Sequence, residues 1–120
     1  MSEVGADPDC VFCGIVAGSV PADVVHRGEH TIAFRDLHPQ APVHVLVIPR
    51  RHVENAATVS HDDAVLLAEM LVAARRVAEA EGIAEPGYRL VFNVGDDGGN
   101  TVGHLHLHVI GGRRMGWPPG

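Results

Sequence analysis

Three histidines at every second position of one short segment constrain this chain more than any other feature. Between Gly103 and Gly111 the sequence reads HLHLHVI, with an aliphatic residue after each histidine. In a strand over 105–110, alternation places the imidazoles on one face and the aliphatic side chains on the other. Burying the aliphatic face fixes the register, because a slip of one residue moves every histidine to the wrong side. Neutral imidazole binds metals, attacks electrophiles and carries protons near pH 7, so the row predicts chemistry.

The composition favours a single globular domain over residues 1–120, with terminal arms at 1–9 and 112–120. The chain is 46% hydrophobic and 20% charged, which suits one core of modest size. Its formal net charge of −6 argues against binding to nucleic acid or to an anionic membrane. The sequence shows no apolar run long enough to span a bilayer and no signal segment at its start. We therefore expect a cytoplasmic protein with a small-molecule partner.

Hydrophobic periodicity predicts an α+β fold. A short helix is expected over 11–18, ended by Gly18, and a long helix over 60–82, with Ser60 as its N-cap. Strand-like runs rich in Val, Ile and Leu cover 24–26, 30–35, 43–48, 89–94 and 105–110. Tight connections imply mostly antiparallel neighbours, so we expect a sheet of about five strands with the two helices.

The long helix is predicted to be amphipathic. Met70 and Leu71 are expected in the core, and the charged side is expected to face solvent and to carry no function. The apolar side consists of Leu66, Leu67, Met70, Leu71, Ala74, Val77 and Ala78.

The only two cysteines, Cys10 and Cys13, form a C-x-x-C pair. Such a pair can be a redox couple, half of a zinc site or two small buried side chains, and no thioredoxin-like βαβ pattern supports the first. Structural zinc takes four nitrogen or sulfur ligands, so two more must come from elsewhere. His52 and His104 are the best placed histidines for a Cys2His2 site.

The glycine-rich stretch 95–101 leads directly into the histidine row. It is either a flexible hairpin loop or, in its second half, a phosphate cradle in which backbone N–H groups and the Thr101 hydroxyl reach a phosphate over His106. His44 opens the strand over 43–48, where a fourth imidazole can join the pocket.

Four segments resemble the histidine triad (HIT) superfamily, most closely its Hint branch. They are FRDLHPQAPVH over 34–44, VIP over 47–49, the histidine row over 104–110 and WPPG over 117–120. The row matches a highly specific signature, and the resemblance runs from about Cys10 to the last residue. Similar proteins are α+β homodimers that hydrolyse nucleoside 5′-phosphoramidates, typically AMP joined through a P–N bond to an amine or lysine. The resemblance thus implies a HIT-like fold, a purine nucleotide substrate and hydrolase activity on P–N bonds.

Catalytic roles are implied by the resemblance, position by position. His106 matches the nucleophile that attacks the α-phosphorus and forms a nucleotidyl-histidine, which water then cleaves. His108 matches the residue that contacts a phosphate oxygen and helps to protonate the leaving amine. His44 matches the residue that orients and polarises the nucleophile. No organic cofactor is implied.

Nucleotide contacts are implied in the same way. Asp36 matches a residue that holds the ribose hydroxyls, and Leu37 resembles a wall of the base pocket. The expected phosphate and leaving-group contacts are Asn93, Gly99, Asn100 and Thr101. The branch commonly has Gln-Ser at the last two of these positions; threonine keeps the hydroxyl, whereas asparagine shortens the amide side chain.

The cysteines and the C-terminal arm also have counterparts in the family. Some histidine triad proteins bind zinc through a C-x-x-C pair, a histidine after the Ile-Pro strand and the first triad histidine. Here those positions are Cys10, Cys13, His52 and His104. Others lack the cysteines and need no metal, so the implied Zn²⁺ is structural. Trp117 resembles a residue whose arm reaches the active site of the dimer partner.

Two alternatives to a phosphoramidase stay open at this point. The same His106 can serve a dinucleoside polyphosphate hydrolase or nucleotidyltransferase, which the relative rates on an AMP amidate and a diadenosine polyphosphate would distinguish. The chain can also be a nucleotide-binding scaffold protein, a role that leaves no mark in the sequence.

Overall fold

A computed structural model describes residues 7–120, so residues 1–6 of the expected N-terminal arm lie outside the described part of the chain. Two 3₁₀ turns, Ala56–Thr58 and His61–Asp63, precede the long helix. The regular elements are α1 (Val11–Ala17), β1 (Val24–Arg27), β2 (Thr31–Arg35), β3 (Val43–Pro49), α2 (Ala64–Ala80), β4 (Tyr88–Val91) and β5 (Leu107–Gly111). The expected α+β fold, with five strands, one short helix and one long helix, is confirmed.

The five strands form one antiparallel sheet in the order β1-β2-β3-β5-β4. Every residue of β3 is buried, as expected for a central strand covered on both faces. β5 pairs with β3 on one side and with β4 on the other. The strand that carries the last triad histidine is therefore held by ladder hydrogen bonds along both edges.

Each face of the sheet has its own hydrophobic cluster. On one face, the inner side of α2 packs against Val45, Val47, Leu107 and Val109. On the other, Phe12 and Ile15 of α1 pack with a group consisting of Ile32, Phe34, Leu46 and Ile48. Because strand residues alternate, burying Leu107 and Val109 under α2 turns His108 toward the α1 face. The two-sided pattern predicted for the row is thus present.

The start of the long helix differs from the prediction. Ser60 accepts a hydrogen bond from the backbone N–H of Asp62 and caps the 3₁₀ turn, whereas α2 itself begins at Ala64. Met70 is fully buried as expected, but Leu71 is 50% exposed, so its assignment to the core is wrong. Leu71 lies at the flank of the apolar stripe, where the helix has already turned away from the sheet.

Three strands are shorter than predicted, and two of them differ from the prediction at one end by two residues or more. β5 begins at Leu107 rather than 105, because the N–H of Leu105 donates to the carbonyl oxygen of Val53 in a loop, at 2.6 Å. His104 and His106 therefore lie in the extended segment that leads into the strand. β4 ends at Val91, and the predicted strand residues 92–94 are loop.

Helix α1 is bounded as the sequence indicated. Gly18 adopts a left-handed conformation with φ of 82°, and its N–H bonds the carbonyls of Gly14 and Ile15. At the other end, Cys10 is the N-cap, and its Sγ accepts the N–H of Cys13 at 3.4 Å.

In the C-terminal arm, Arg89 of β4 donates to the carbonyl oxygen of Gly116 at 2.6 Å. Across residues 7–120, neither helix has the length and apolarity to cross a bilayer.

Candidate active site

His106 is fixed by its own main chain. Its Nδ1 lies 2.7 Å from the carbonyl oxygen of His104. A carbonyl oxygen can only accept a hydrogen bond, so the ring proton of His106 is on Nδ1 and Nε2 keeps its lone pair. The ring is 8% exposed and packs edge-on against Phe12, with centroids 5.3 Å apart. The segment thus presents an unprotonated ring nitrogen in a defined orientation.

His108 and His44 form a directional chain of hydrogen bonds. The backbone N–H of Gln40 donates to His44 Nδ1 at 3.0 Å, so the proton of the neutral His44 ring is on Nε2. That Nε2 lies 2.9 Å from His108 Nδ1, which therefore accepts. The proton of His108 is left on Nε2. This series of hydrogen bonds ends at the Nε2–H donor of His108, two positions after His106.

His44 contacts the ring of His108. Its polar partners are His108, Gln40 and Asp36, while the expected role of orienting His106 stays a prediction. The cause is the register of β3 and β5, in which Leu46, two residues after His44, is the partner of His108. His44 therefore contacts His108, and the His104 carbonyl oxygen contacts the ring of His106.

Burial keeps the paired imidazoles neutral. Desolvation, together with smaller effects of the neighbouring His106 and His44 rings, lowers the pKa of His108 from 6.5 to about 4. Burial also lowers the pKa of His44, while the carboxylate of Asp36, 3.4 Å from its Nε2, acts in the opposite direction. At neutral pH both rings therefore carry a single proton, as the hydrogen-bond chain requires.

A cleft of about 330 Å³ opens beside these rings. Of the predicted site residues, it is lined by Asp36, Leu37, Thr101, His106 and His108. Leu37 is 87% exposed at its rim. The structure thus brings together the proposed ribose, base and phosphate contacts from the β2–β3 loop and from the segment before β5.

Three predicted phosphate contacts do not line this cleft. Asn93 donates to the carbonyl oxygen of Gly98 at 2.7 Å, and the side-chain oxygen of Asn100 accepts the N–H of Val102 at 3.4 Å. Gly99 is exposed in the same loop. In this structure these polar groups stabilise the glycine-rich loop itself.

Among the contributors to the site that the sequence did not reveal are two of different kinds. Phe12 and Ile15 of α1 line the cleft, although the sequence marked them only as part of a short helix. Phe12 and Ile15 are three positions apart, a spacing that places both side chains on one face of a helix, and this spacing was the available signal. The second is the backbone of Gln40, whose N–H fixes the His44 tautomer. A main-chain donor has no sequence signature, and only the loop geometry reveals it.

The cysteine pair meets two histidines beside the site. Cys10 Sγ lies 3.3 Å from His104 Nδ1, and Cys13 Sγ lies 3.3 Å from His52 Nδ1 and 3.5 Å from His104 Nδ1. All four ligand atoms lie within 4.8 Å of one another. Tetrahedral Zn²⁺ with ordinary bond lengths places sulfur and nitrogen ligands about 3.5 Å apart. The donor set and its spacing therefore fit a metal ion.

The protonation of the ligands also fits. His104 Nε2 donates to the carbonyl oxygen of Pro49 at 3.0 Å, which leaves the Nδ1 lone pair directed at the two sulfurs. Burial lowers the pKa of His104 to about 4, so the ring is neutral at pH 7. Burial raises the pKa of the Cys13 thiol, with the neighbouring Cys10 adding to the effect. Metal binding at Cys13 must therefore displace a proton.

These features define a class: an α+β protein with oriented imidazoles at a cleft beside a Cys2His2 group. The chain belongs to the HIT family, since the HIT domain model matches residues 17–115. The match begins after Cys10 and Cys13 and ends before Trp117. Those three predicted residues lie outside the part of the chain that the family model covers.

Individual relatives cover almost the whole chain. An uncharacterized HIT-like protein from Synechococcus elongatus is 45% identical, over 93% of this chain and 97% of its own length. A solved HIT family hydrolase from Legionella pneumophila Philadelphia 1 is 52% identical, with a TM-score of 0.91, and the match covers 93% of this chain and 100% of that one. A HIT family hydrolase from Clostridium thermocellum is 44% identical, with a TM-score of 0.89 over 92% and 96% of the two chains.

Proposed function

We propose that the protein hydrolyses nucleoside 5′-phosphoramidates through a covalent nucleotidyl-histidine intermediate. The observation that carries the proposal is the 2.7 Å hydrogen bond from His106 Nδ1 to the His104 carbonyl oxygen, which selects the neutral tautomer with the lone pair on Nε2, at the cleft. A nucleophilic imidazole needs this tautomer in place before substrate arrives. Two similar solved proteins are described as HIT family hydrolases, which supports a hydrolytic reaction.

The proposed reaction has two displacements at the α-phosphorus. In the first, His108 enters as the imidazolium that the bound phosphoryl group favours. His106 Nε2 forms a bond to phosphorus while the P–N bond to the amine breaks, and the amine leaves with the Nε2 proton of His108, which becomes neutral. In the second, water attacks phosphorus, the bond to His106 Nε2 breaks, and a proton from the water returns to His108 Nε2 and restores the imidazolium. The products are the nucleoside monophosphate and the free amine.

His108 gains its acidity from the substrate. Its pKa is about 4 in the free protein, where the ring is neutral and offers Nε2–H as a hydrogen-bond donor. An anionic phosphoryl group against that N–H favours the charged form and raises the pKa. The second proton enters at Nδ1, so in the charged state His44 Nε2 must accept from His108, and the His44 proton must move to Nδ1 in place of the hydrogen bond from Gln40. In the free protein His44 donates to His108 Nδ1 at 2.9 Å and so fixes which nitrogen of His108 faces the substrate. We assign His44 this positioning role.

The nucleotide is proposed to lie along the cleft with its sugar at Asp36. One carboxylate oxygen of Asp36 accepts the N–H of His38 at 2.8 Å, which orients the carboxylate for ribose hydroxyls. Leu37 offers an apolar surface to a purine base, and Thr101, which lines the same cleft as His106, is proposed to donate its hydroxyl to the phosphate. Contacts from Asn93, Gly99 and Asn100 require the glycine-rich loop to exchange internal hydrogen bonds for substrate ones.

Zn²⁺ is proposed as a structural ion held by Cys10, Cys13, His52 and His104. When bound, it supplies a cross-link between the start of α1 and the segment before β5, and it takes no part in the displacements. Cysteine thiols that serve as ligands suit a reducing compartment, which agrees with the proposed cytoplasmic location.

A homodimer is proposed from the apolar surface that a single chain leaves exposed. Leu71, Val65 and Val72 on the outer side of α2 are 50%, 70% and 39% exposed. Edge strand β4 continues into exposed Phe92, and Trp117 is 85% exposed on an arm that Arg89 holds at Gly116. Exposed large apolar side chains favour burial in an interface. We propose that Trp117 reaches the partner.

The covalent intermediate is the decisive test. The zinc-loaded full chain is mixed with radiolabelled adenosine 5′-phosphoramidate, quenched rapidly and digested, and the labelled peptide is sequenced. The chain contains no lysine, so an acid-labile P–N label must lie on a histidine, an arginine or the amino terminus. We expect it on His106. His106→Ala should lose label and turnover while keeping its circular dichroism spectrum, and exposed His61→Ala serves as the matched control.

Two outcomes would refute the proposal. One is full activity of His106→Ala. The other is faster turnover of diadenosine polyphosphate than of the amidate, which would assign the same histidine to dinucleoside polyphosphate hydrolysis.

A further inference from the structure

Helix α1 forms one wall of the nucleotide cleft. Phe12, Ile15 and Val11 line the cleft from this helix, facing the segment that carries His106. Phe12 and Ile15 are also buried in the cluster under the sheet. The position of α1 therefore sets the width of the cleft at this wall.

The same short helix begins with two of the four metal-ligating side chains. Cys10 is its N-cap and Cys13 lies in its first turn, whereas His52 and His104 belong to the loop after β3 and the segment before β5. A seven-residue helix is not stable on its own and depends on tertiary anchors. A metal ion that joins all four ligands would add such an anchor.

Phe12 connects the metal ligands with the nucleophile. It precedes Cys13 in sequence, and its ring packs edge-on against His104 at 5.8 Å and against His106 at 5.3 Å between centroids. Phe34 of β2 packs on the ring of Phe12 from the sheet side, at 5.5 Å. A shift of α1 must therefore move the ring that supports His106.

We propose that the Cys2His2 metal site and the nucleotide cleft are thermodynamically coupled, with Phe12 as the positioning residue that transmits the coupling. This inference rests on the proposed function and on the proposed metal. The metal fixes α1, and α1 fixes the wall and the ring behind His106, so the loaded protein binds nucleotide without first ordering that wall. Coupling between two sites is reciprocal, so nucleotide must tighten the metal by the same factor.

Equilibrium binding of AMP measures the coupling without turnover. AMP is titrated into the full chain loaded with Zn²⁺ and into the chelator-treated chain, whose folding is checked by circular dichroism. We expect a Kd about tenfold higher in the metal-free protein, within the usual range for coupled sites. Zn²⁺ affinity, measured against a competing chromophoric chelator, should rise by the same factor when AMP is present. Amide exchange should slow in α1 on addition of Zn²⁺ alone.

A matched pair of variants isolates Phe12. Phe12→Leu and Phe34→Leu both remove a ring that lines the cleft, but only the first lies on the metal-anchored helix. Phe12→Leu should bring the ratio of the metal-free to the loaded Kd close to one. Phe34→Leu should change both values and keep the ratio. A merely structural role of Phe12 would weaken binding equally in both forms. If the chelator-treated chain unfolds, the His52→Ala variant, which lacks one proposed ligand outside α1, is used as the metal-free sample in its place.

The outcomes separate this proposal from the proposed function. Equal AMP affinity of the folded loaded and metal-free proteins overturns the coupling, even when the loaded protein hydrolyses the amidate. Metal-dependent AMP binding without hydrolysis supports the coupling and refutes the phosphoramidase. Absence of AMP binding to both forms overturns both. A ratio that Phe12→Leu leaves unchanged overturns the role of Phe12.

Discussion

Acidification should destabilise the protein through His108. Burial holds its folded-state pKa at about 4, against 6.5 for an ordinary histidine. Between these two values the unfolded chain binds a proton that the folded chain excludes, so folding stability falls as the pH falls. The loss starts near pH 6.5 and is complete below pH 4. For this one ring it amounts to about 2 kcal/mol at pH 5 and about 3 kcal/mol at pH 4.

A neutral replacement isolates this contribution. In His108→Gln the side-chain amide oxygen can still accept the hydrogen bond from His44 Nε2, but it does not titrate. Urea unfolding of both chains, with chelator present, is followed at pH 7, 5 and 4. Carboxylates and His104 titrate in both proteins, so the difference between their pH slopes reports His108.

On acidification, the free energy of unfolding of His108→Gln should fall less than that of the wild type, by about 2 kcal/mol at pH 5 and about 3 kcal/mol at pH 4. His61→Gln, a change at an exposed histidine, should keep the wild-type slope. Parallel stability curves for the wild type and His108→Gln from pH 7 to pH 4 would refute the account of His108 as a buried neutral ring.

Three further changes test the remaining proposals. Metal analysis of protein purified without chelators should find about one zinc per chain, and Cys13→Ser should lose it; a zinc-free wild type would contradict the site. Leu71→Glu should shift the sedimentation coefficient from dimer to monomer, because it places a charge in the proposed interface, while an unchanged value would exclude that surface. Trp117→Ala should alter kcat/KM across a series of leaving amines, and identical profiles would count against contact with the partner site.

The alternation of histidine and aliphatic residues in the segment 105–110 predicted which side chains of the last strand face the core and which face the site. Leu107 and Val109 are buried on one face, and the burial of that face fixes the register, so the orientation of His108 follows from local sequence alone. The end of the ladder does not follow, because the N–H of Leu105 pairs with Val53, a partner distant in sequence. Leu71 was misassigned for a related reason: helical periodicity locates a stripe but not its edge.

The sequence predicted which residues form the candidate site better than it predicted the contacts between them. The four side chains proposed to bind the metal were predicted from spacing and resemblance, and their ligand atoms do converge. The contact of His44 with His108 depends on strand register, and the tautomer of His44 depends on a main-chain N–H at Gln40. Neither leaves a trace in side-chain identity.

The pairing of β3 with β5 also has a consequence for folding. His44 and His108 are 64 positions apart in sequence and meet only when these two central strands are joined. Closing so long a loop costs chain entropy before any contact compensates for it, and contacts of this range form slowly. Neighbouring β2 and β3 need no such closure. Recovery of catalysis during refolding should therefore lag behind the recovery of secondary structure, which makes turnover a kinetic reporter of the last long-range pairing.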